Sequence, residues 1–471
     1  MKSLVWFRKD LRIDDNPALY NACKKSKSVH CVYLYSKEQN KMHNEANVKI
    51  DFIIKSLKSL SEKLSQYKIG ITIICSDNFE SDPAILKNYM TENNFEKLFF
   101  NKCFGQDENH RDDQVKIMIE QNNFQFEEYN DQIVYETGFL KTADGRPFSV
   151  FSPFKRRWIE NFKMEFLDID KSLNPNTDFF TKSNINEFDF KFTKKHHVND
   201  EMWGIGEDHA LSLLKVFLSN GINRYQSDRN DPIINGTSRI SPYLASGVIS
   251  SKRCILEAIK LNNFELDSGN KGVVKWVDEI IWREFYRNIM DCFPKVGKNQ
   301  PFQEYTKNVK WRFDESEFNA WKEGMTGFPI IDAAMRQLRN EGWMHNRLRM
   351  VTAMFFSKNM LHDWRIGEQF FMENLIDGDF ASNNGGWQWS ASTGTDAAPY
   401  FRIFNPITQS NNFDKEGLFI KKYVPELSKV DKKEIHDPSE KIRDYCGYPN
   451  KIVDLKQSRL RAIEAFNSAK N

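Results

Sequence analysis

The chain has 471 residues, enough for two or three domains of ~150 residues each, and its 40% hydrophobic and 28% charged residues are typical of a globular protein. Its 67 Lys and Arg nearly balance its 65 Asp and Glu, so a basic coat for nucleic acid is excluded and any such contact must come from a local patch. No apolar run approaches the ~20 residues that a membrane-spanning helix needs.

The seven cysteines are scattered and form no Cys-x-x-Cys pair. This pattern predicts reduced thiols in a cytoplasmic protein and argues against zinc and iron–sulfur sites. The amino terminus, MKSLVWFRKDLRIDD, has charges where a signal peptide has its apolar stretch. The unusual feature is the aromatic content, 14% of the chain, with 38 Phe and 11 Trp.

The first ~135 residues alternate between apolar runs and helix-like stretches such as residues 48–64, which predicts parallel β-α-β units and a doubly wound sheet. No GxGxxG and no GxxxxGK[ST] follows the first run, so the usual dinucleotide and P-loop sites lack sequence support. The predicted strands are residues 3–8, 29–35, 69–75, 97–101 and 124–129.

A polar stretch rich in Asn and Lys follows, and it predicts a long connection with one helix near residues 153–166. From about residue 205 the patterns are helical, as in residues 208–220 and 251–263, and a Gly-rich segment, 378–389, is expected to interrupt them as a loop. We therefore predict an α/β domain (1–135), a linker (136–204) and an all-helical domain (205–471).

Eight of the 11 tryptophans lie within residues 276–389, where several adjoin Arg, Glu, Asn and Gly. Clustered indoles offer stacking planes for flat ligands or bases, although a Trp-rich core is the alternative. Helical spacing places Glu279, Trp282, Arg283 and Tyr286 on one face, which is either a binding face or a solvated, salt-bridged one.

Other polar groups suit phosphates. Asn346, Arg349 and Met350 share a helix face, and four arginines between 336 and 349 form a local basic patch that Arg402 could extend. The segment NGTSRIS (235–241) could cradle a phosphate, but an ordinary helix start looks similar. Asp377 and Asp379, without a nearby His, do not indicate a metal, and we predict none.

Together these residues resemble the class I DNA photolyases of the photolyase/cryptochrome family along nearly the whole chain. The motifs that carry the resemblance are WFRKDLRIDDNPAL (6–19), TSRIS, WREFYR, TGFPIIDAAMRQL (326–338), GWMHNRLRM, DWR (363–365) and DGDFASNNGGWQWSASTGTDAAPYFRIFNP (377–406).

The resemblance implies FAD, fully reduced, in the helical domain. It implies double-stranded DNA with cyclobutane pyrimidine dimers as the substrate, and a lesion that is flipped out of the duplex. The implied enzyme is a carbon–carbon lyase that splits the dimer after light-driven electron transfer. By motif position the FAD contacts are Tyr225, Thr237, Ser238, Arg239, Ile240, Ser241, Trp276, Glu279, Arg283, Asn346, Arg349, Asp377, Gly378, Asp379 and Asn383.

Motif position also implies the remaining roles. The catalytic contacts to the lesion and flavin are Glu279, Trp282, Asn346, Met350, Asn383 and Trp389. The tryptophan relay that reduces the flavin is Trp311, Trp364 and Trp387. The DNA contacts are Arg229, Trp282, Arg347, Trp389 and Arg402.

Two positions bear on the subfamily. Photolyases that act on (6-4) photoproducts have a His–His pair where this chain has His345–Asn346, so Asn346 favours cyclobutane dimers. Plant-type cryptochromes usually have Asp, and animal ones Cys, where this chain has Asn383, an amide donor that suits a reduced flavin. A cryptochrome photoreceptor without repair activity is the rival, and a generic electron-transfer flavoprotein is a third alternative. We expect a cytoplasmic monomer.

The α/β domain resembles the type that binds 5,10-methenyltetrahydrofolate as an antenna. The implied contacts are His43, Asn44, Asp107, Glu108 and Lys298. The family usually has Asn–Glu where this chain has Asp107–Glu108, and exposed loop charges are the plainer interpretation of these residues. A deazaflavin antenna is the second possibility, and no antenna is the third.

Overall fold

The computed structural model describes residues 1–169, 172–173, 182–188 and 198–470. The chain forms two compact units: unit 1 is Met1–Asn223 with Ser238–Pro294, and unit 2 is Arg224–Thr237 with Lys295–Asn471. The domain boundaries at 135 and 204 stay a prediction, and residues 170–171, 174–181 and 189–197 of the expected linker lie outside the described residues. Within the described ranges, no helix has the length and apolarity to cross a membrane.

Unit 1 contains a parallel sheet in the order β3-β2-β1-β4-β5. The order confirms the predicted doubly wound α/β fold, and each predicted strand is present within two residues. Apolar side chains such as Trp6, Leu98 and Phe100 fill one face. The strands are β1 (Lys2–Phe7), β2 (Ser28–Tyr35), β3 (Ile71–Cys75), β4 (Lys97–Asn101) and β5 (Gln125–Tyr129).

Helices make up about half of the described chain outside the sheet. Up to residue 260 they are α1 (Pro17–Lys25), α2 (Lys37–Met42), α3 (Asn47–Gln66), α4 (Asp82–Glu92), α5 (Gln106–Gln121), α6 (Phe151–Glu160), α7 (Glu207–Asn220), α8 (Tyr225–Asp228), α9 (Ser241–Ser246) and α10 (Ser251–Lys260). Then follow α11 (Lys271–Cys292), α12 (Pro294–Gly297), α13 (Glu315–Glu323), α14 (Pro329–Glu341), α15 (Asn346–Met354), α16 (Trp364–Met372), α17 (Phe380–Ala391), α18 (Pro406–Phe413), α19 (Leu418–Tyr423), α20 (Glu440–Cys446) and α21 (Leu455–Ser468).

The helical predictions are confirmed at α3, α6, α7 and α10, but the loop predicted at 378–389 is wrong. Apart from its first two residues this segment lies in α17, because the Asp379 side chain caps the helix by accepting the N–H of Ser382 at 3.0 Å. Glycines weaken a helix by up to ~1 kcal/mol each, which suggested a break at Gly385 and Gly386. The cap and the burial of Trp387 outweigh that cost.

The sheet reverses its strand order between β1 and β4, where doubly wound proteins usually bind nucleotides. Here buried polar side chains fill the carboxyl ends of these strands. The Arg8 guanidinium pairs with Asp112 at 3.0 Å, and the Asn101 amide donates to Asp10 at 2.7 Å. The absence of glycine motifs agrees with this structure, because an ion pair and a hydrogen-bonded polar pair occupy this edge of the sheet.

Helix α11 is fixed within unit 1 by the buried carboxylate of Glu284. It accepts the N–H groups of Val134 and Tyr135 at 2.8 and 3.0 Å and the indole N–H of Trp158 at 3.0 Å. Burial raises the pKa of this carboxyl group, and the three donors oppose that shift. The connection after β5 and helix α6 are thereby held against α11.

Candidate active site

In unit 1, the polar face of α11 has the composition predicted from sequence. Trp282 is half-buried and stacks on Phe151, with ring centroids 3.7 Å apart and planes 10° from parallel. Glu279 is half-buried and pairs with Lys275 at 3.3 Å. Arg283 donates to the carbonyl oxygens of Gln132 and Leu244 at 2.8 and 3.1 Å. This face therefore consists of planar and charged side chains that are held by neighbouring residues, and it is not an apolar face buried in the core.

Phe151 had no role in the sequence analysis. It lies in the segment expected to be a linker, and no motif or spacing connects it with Trp282, which is 131 positions later. In the structure it backs one face of Trp282, so that the indole plane is held rigidly.

The predicted phosphate segment lies next to Trp276. This tryptophan is buried, and its indole N–H donates to the Ser238 hydroxyl at 3.3 Å. Arg239 has a left-handed backbone, with φ of 49°, and its guanidinium lies 5.9 Å from the ring of Trp203. Ile240 is buried, and Ser241 begins α9. The hydroxyl groups here suit a phosphate or sugar.

Unit 2 contains a second set of predicted FAD contacts. Arg349 forms a two-point ion pair with the buried Asp377, at 3.0 and 2.8 Å, and its Nε donates to the carbonyl oxygen of Met344 at 2.8 Å. Gly378 separates Asp377 from Asp379, which caps α17. Both carboxylates are thus held by donors of this chain, which fixes their orientation.

Asn383 is held by a partner that the sequence analysis did not identify. Its amide nitrogen donates to the side chain of Glu368 at 2.8 Å and to the carbonyl oxygen of the same residue at 3.0 Å. Burial raises the pKa of Glu368 to about 7. Both contacts use the amide nitrogen, so Glu368 fixes the orientation of the Asn383 side chain.

His345 and Asn346 lie at the start of helix α15 and differ in exposure. His345 is the N-cap, is 2% exposed, and accepts the backbone N–H of Arg347 at 3.2 Å. Asn346 is exposed and Met350, one turn later on the same face, is half-buried. Asn346 rather than His345 is therefore accessible from solvent.

The basic patch is smaller than the sequence suggests. Arg336 pairs with Glu426 and Arg339 with Glu323, so these two charges are neutralised. Arg347 remains. Its side chain donates to Asn230 at 2.6 Å, and burial together with the nearby Arg229 lowers its pKa.

The other predicted DNA and FAD contacts of unit 2 have simple surroundings. Arg229 lies over the ring of the buried Tyr225, at 5.5 Å. Thr237 and Trp389 are half-buried, and Arg402 is exposed.

The three tryptophans predicted to form the relay all lie in unit 2 and differ in burial. Trp387 is 2% exposed and Trp364 is fully buried, whereas Trp311 is half-buried and packs on Phe466. Gly367 lies one turn after Trp364 in α16. Because it has no side chain, the indole of Trp387 packs directly on the helix backbone there. Trp321, to which no role was assigned, has its ring centroid 6.2 Å from that of Trp387.

The antenna residues of unit 1 lie at the first turn of α5 and near it. His43 pairs with the exposed Asp107 at 3.0 Å, and Asn44 follows with φ of 52°. Glu108 is buried. Burial acts to raise its pKa, but the ion pair with Lys9 at 2.9 Å lowers it to about 2. Lys298, in unit 2, is exposed.

Comparisons with known proteins agree with these features. The family model for DNA photolyase matches residues 3–174, and that for the FAD binding domain of DNA photolyase matches residues 276–468. The chain is 38% identical to the deoxyribodipyrimidine photo-lyase of Escherichia coli K12, over 99% of this chain and 98% of that protein. The chain belongs to the DNA photolyase family. Its carboxyl-terminal half is accordingly an FAD-binding region.

Solved structures of photolyases show the same fold. A bacterial class III photolyase from Agrobacterium tumefaciens has a TM-score of 0.89 at 32% identity. The match covers all of this chain and 98% of that photolyase. An archaeal photolyase from Sulfolobus tokodaii, described with two FAD molecules, has a TM-score of 0.84 at 27% identity over 99% of this chain and 100% of that one.

The contact between Trp387 and α16 can be tested by a Cβ at Gly367, which would lie 2.2 Å from the indole. Gly367→Ala should lower the free energy of unfolding in urea, because overpacking costs ~1–3 kcal/mol and exceeds the ~1 kcal/mol gained by Ala in a helix. The control is Gly386→Ala in α17, whose Cβ would meet nothing within 4 Å and which should be neutral or stabilising. Equal effects of the two substitutions would contradict this packing.

Proposed function

We propose that this photolyase-family enzyme repairs cyclobutane pyrimidine dimers in double-stranded DNA in a light-dependent reaction and does not repair (6-4) photoproducts. The observation that carries the proposal is the arrangement at α15, where an exposed Asn346 is available and His345 is buried as the helix cap. An amide does not titrate near neutral pH, so it cannot supply the proton that a histidine could. It can donate a hydrogen bond to a carbonyl group of the lesion.

The donor set fits FAD. We assign the phosphate and ribityl contacts to Tyr225, Thr237, Ser238, Arg239, Ile240 and Ser241, because hydroxyl and backbone N–H groups suit phosphate oxygens. When bound and reduced, FAD supplies the electron that light transfers to the lesion. The remaining proposed contacts are Trp276, Glu279, Arg283, Asn346, Arg349, Asp377, Gly378, Asp379 and Asn383.

Recognition of the lesion uses the other side chains. Trp282 stacks on a flipped base with Phe151 supporting it from behind, and Trp389 supplies a second plane. Glu279, Asn346 and Met350 contact the lesion edge. Arg229, Arg347 and Arg402 bind phosphates, which position the duplex without reading its sequence. A cryptochrome photoreceptor is disfavoured by the full-length similarity to a photo-lyase. We expect the enzyme to act as a monomer in the cytoplasm.

The proposed lesion specificity can be tested with two oligonucleotides that carry one lesion each. Purified enzyme with reduced flavin should restore the cyclobutane dimer in light and leave it unchanged in darkness. The (6-4) oligonucleotide should remain unrepaired in both conditions. Efficient reversal of the (6-4) lesion, or no light-dependent repair of the dimer, would contradict the proposal.

The relay can be tested separately from repair. Trp387→Phe should abolish or greatly slow the photoreduction of oxidised flavin, because it removes the proposed inner donor. Chemically reduced enzyme should still repair dimers. Trp343→Phe, which alters another buried tryptophan of unit 2, is the control and should photoreduce normally. Normal photoreduction of the Trp387 variant would mean that a different donor dominates.

We also propose that the protein binds 5,10-methenyltetrahydrofolate through His43, Asn44, Asp107 and Glu108 of the α/β domain and through Lys298. Glu108 is unsuited to substitution because its loss would leave Lys9 without its partner. Asp107→Ala removes an exposed carboxylate and should lower the folate absorption per flavin after reconstitution. Asp113→Ala, exposed on the same helix, should not. Full folate binding by the Asp107 variant would exclude this site.

A further inference from the structure

Lys358 is a fully buried lysine to which the sequence analysis assigned no role. Its Nζ donates to the Ser392 hydroxyl at 2.7 Å and to the carbonyl oxygen of Tyr400 at 3.0 Å, and lies 5.1 Å from the ring centroid of Phe466. Within the described residues it forms no ion pair with a carboxylate. Burial lowers its pKa to about 7.

The backbone around Lys358 is unusual as well. Residues Phe355–Asn359 form one turn of π-helix after α15, in which the N–H of Met360 donates to the carbonyl oxygen of Phe355 at 3.0 Å. Such turns contain one residue more than an α-turn and occur frequently at functional sites. This wide turn ends next to α21, where the Asn359 amide donates to the Ser458 hydroxyl at 3.1 Å.

The two partners of Lys358 are the two ends of one loop. Ser392 ends α17 with a left-handed backbone, φ of 62°, and Tyr400 lies eight residues later. The Ser392 hydroxyl donates in turn to the carbonyl oxygen of Ala398. One amino group thus closes the segment 392–400 from both ends.

This loop folds back onto the turn of α17 that carries Trp389. The N–H of Ala398 donates to the carbonyl oxygen of Trp389 at 3.2 Å, and the N–H groups of Thr393 and Gly394 donate to that of Gln388 at 3.0 and 3.1 Å. At the far end, the N–H of Arg402 donates to the carbonyl oxygen of Pro399 at 2.8 Å. The loop therefore connects an aromatic and a basic side chain that the proposed function assigns to lesion and DNA binding.

Stability alone does not account for a lysine here. An unpaired buried cation is unfavourable, and an apolar side chain of similar length would avoid that cost. A neutral amine still has two N–H groups, so both hydrogen bonds persist in either protonation state. What Lys358 supplies is a donor that reaches both ends of the loop.

We propose that Lys358 is a positioning residue for lesion recognition, which ties Ser392 to Tyr400 and so holds the loop 392–400 against the turn that presents Trp389. This proposal rests on the proposed function for its consequence in repair. The ordering of the loop by Lys358 is independent of that function and can be measured without DNA.

The test compares the flavin-loaded Lys358→Met variant with the unmodified enzyme. Amide hydrogen exchange in residues 392–402 should become about tenfold faster, as expected for the loss of tethering hydrogen bonds, while α17 stays protected. The Kd and KM for dimer-containing DNA should rise by about tenfold, with kcat and the affinity for undamaged DNA unchanged. The thermal midpoint should not fall at pH 7, which separates positioning from a purely structural role.

Two further variants complete the test. Ser392→Ala removes one acceptor of Lys358 together with the hydroxyl's own hydrogen bond to Ala398, so exchange in the loop should also become faster and lesion affinity should fall. If Lys358→Met does not fold, this variant still shows whether the tethered end of the loop is needed for lesion binding. Lys322→Met, which alters a half-buried lysine of α13, should change neither loop exchange nor lesion affinity. Unchanged exchange in the loop, or equal losses on damaged and undamaged DNA, would overturn the proposal. If the unmodified enzyme itself shows no preference for dimers, the proposed function fails, and the exchange data still decide the role of Lys358.

Discussion

The carboxylate of Glu284 is the interaction on which unit 1 depends. A buried carboxylate is costly unless donors satisfy it, and here three N–H groups do so. Two of them belong to the connection after the sheet and the third to α6, so one side chain of α11 fixes both. The polar face of α11, with Glu279, Trp282 and Arg283, depends on this anchoring. Phe151 reaches the back of Trp282 because α6 is held in this place.

Buried polar partners also recur in unit 2, where several polar groups assigned to the site are held by residues of this chain. Arg349 orients Asp377, Glu368 orients Asn383, and Lys358 holds the loop next to Trp389. Such partners fix the geometry before a ligand arrives, which lowers the cost of ordering on binding. Their burial also explains why the pKa values of Glu368 and Lys358 depart from their usual ranges in opposite directions, since burial disfavours the charged form of both.

Sequence patterns predicted the elements well because these depend on local information. The strands of the sheet and helices such as α3 follow from periodicity. Partners far apart in sequence were not predicted. Phe151 and Trp282 are 131 positions apart and Lys358 and Ser392 are 34 apart, and no spacing rule links either pair. The error at α17 has the opposite cause, since a local preference of glycine was overridden by a cap and by core packing.

The surroundings of the relay tryptophans bear on what happens to a proton during electron transfer. An oxidised indole is a stronger acid than a neutral one, and it loses its N–H proton only if an acceptor is near. Among the described residues, the indole N–H groups of Trp364 and Trp387 are buried and have no hydrogen-bond partner. Each would therefore keep its proton and return readily to the neutral state when an electron arrives from the next tryptophan. Trp311 is half-buried, so water can accept its proton. An oxidised Trp311 would then become a neutral radical, and the missing electron would be retained longest at this outer position.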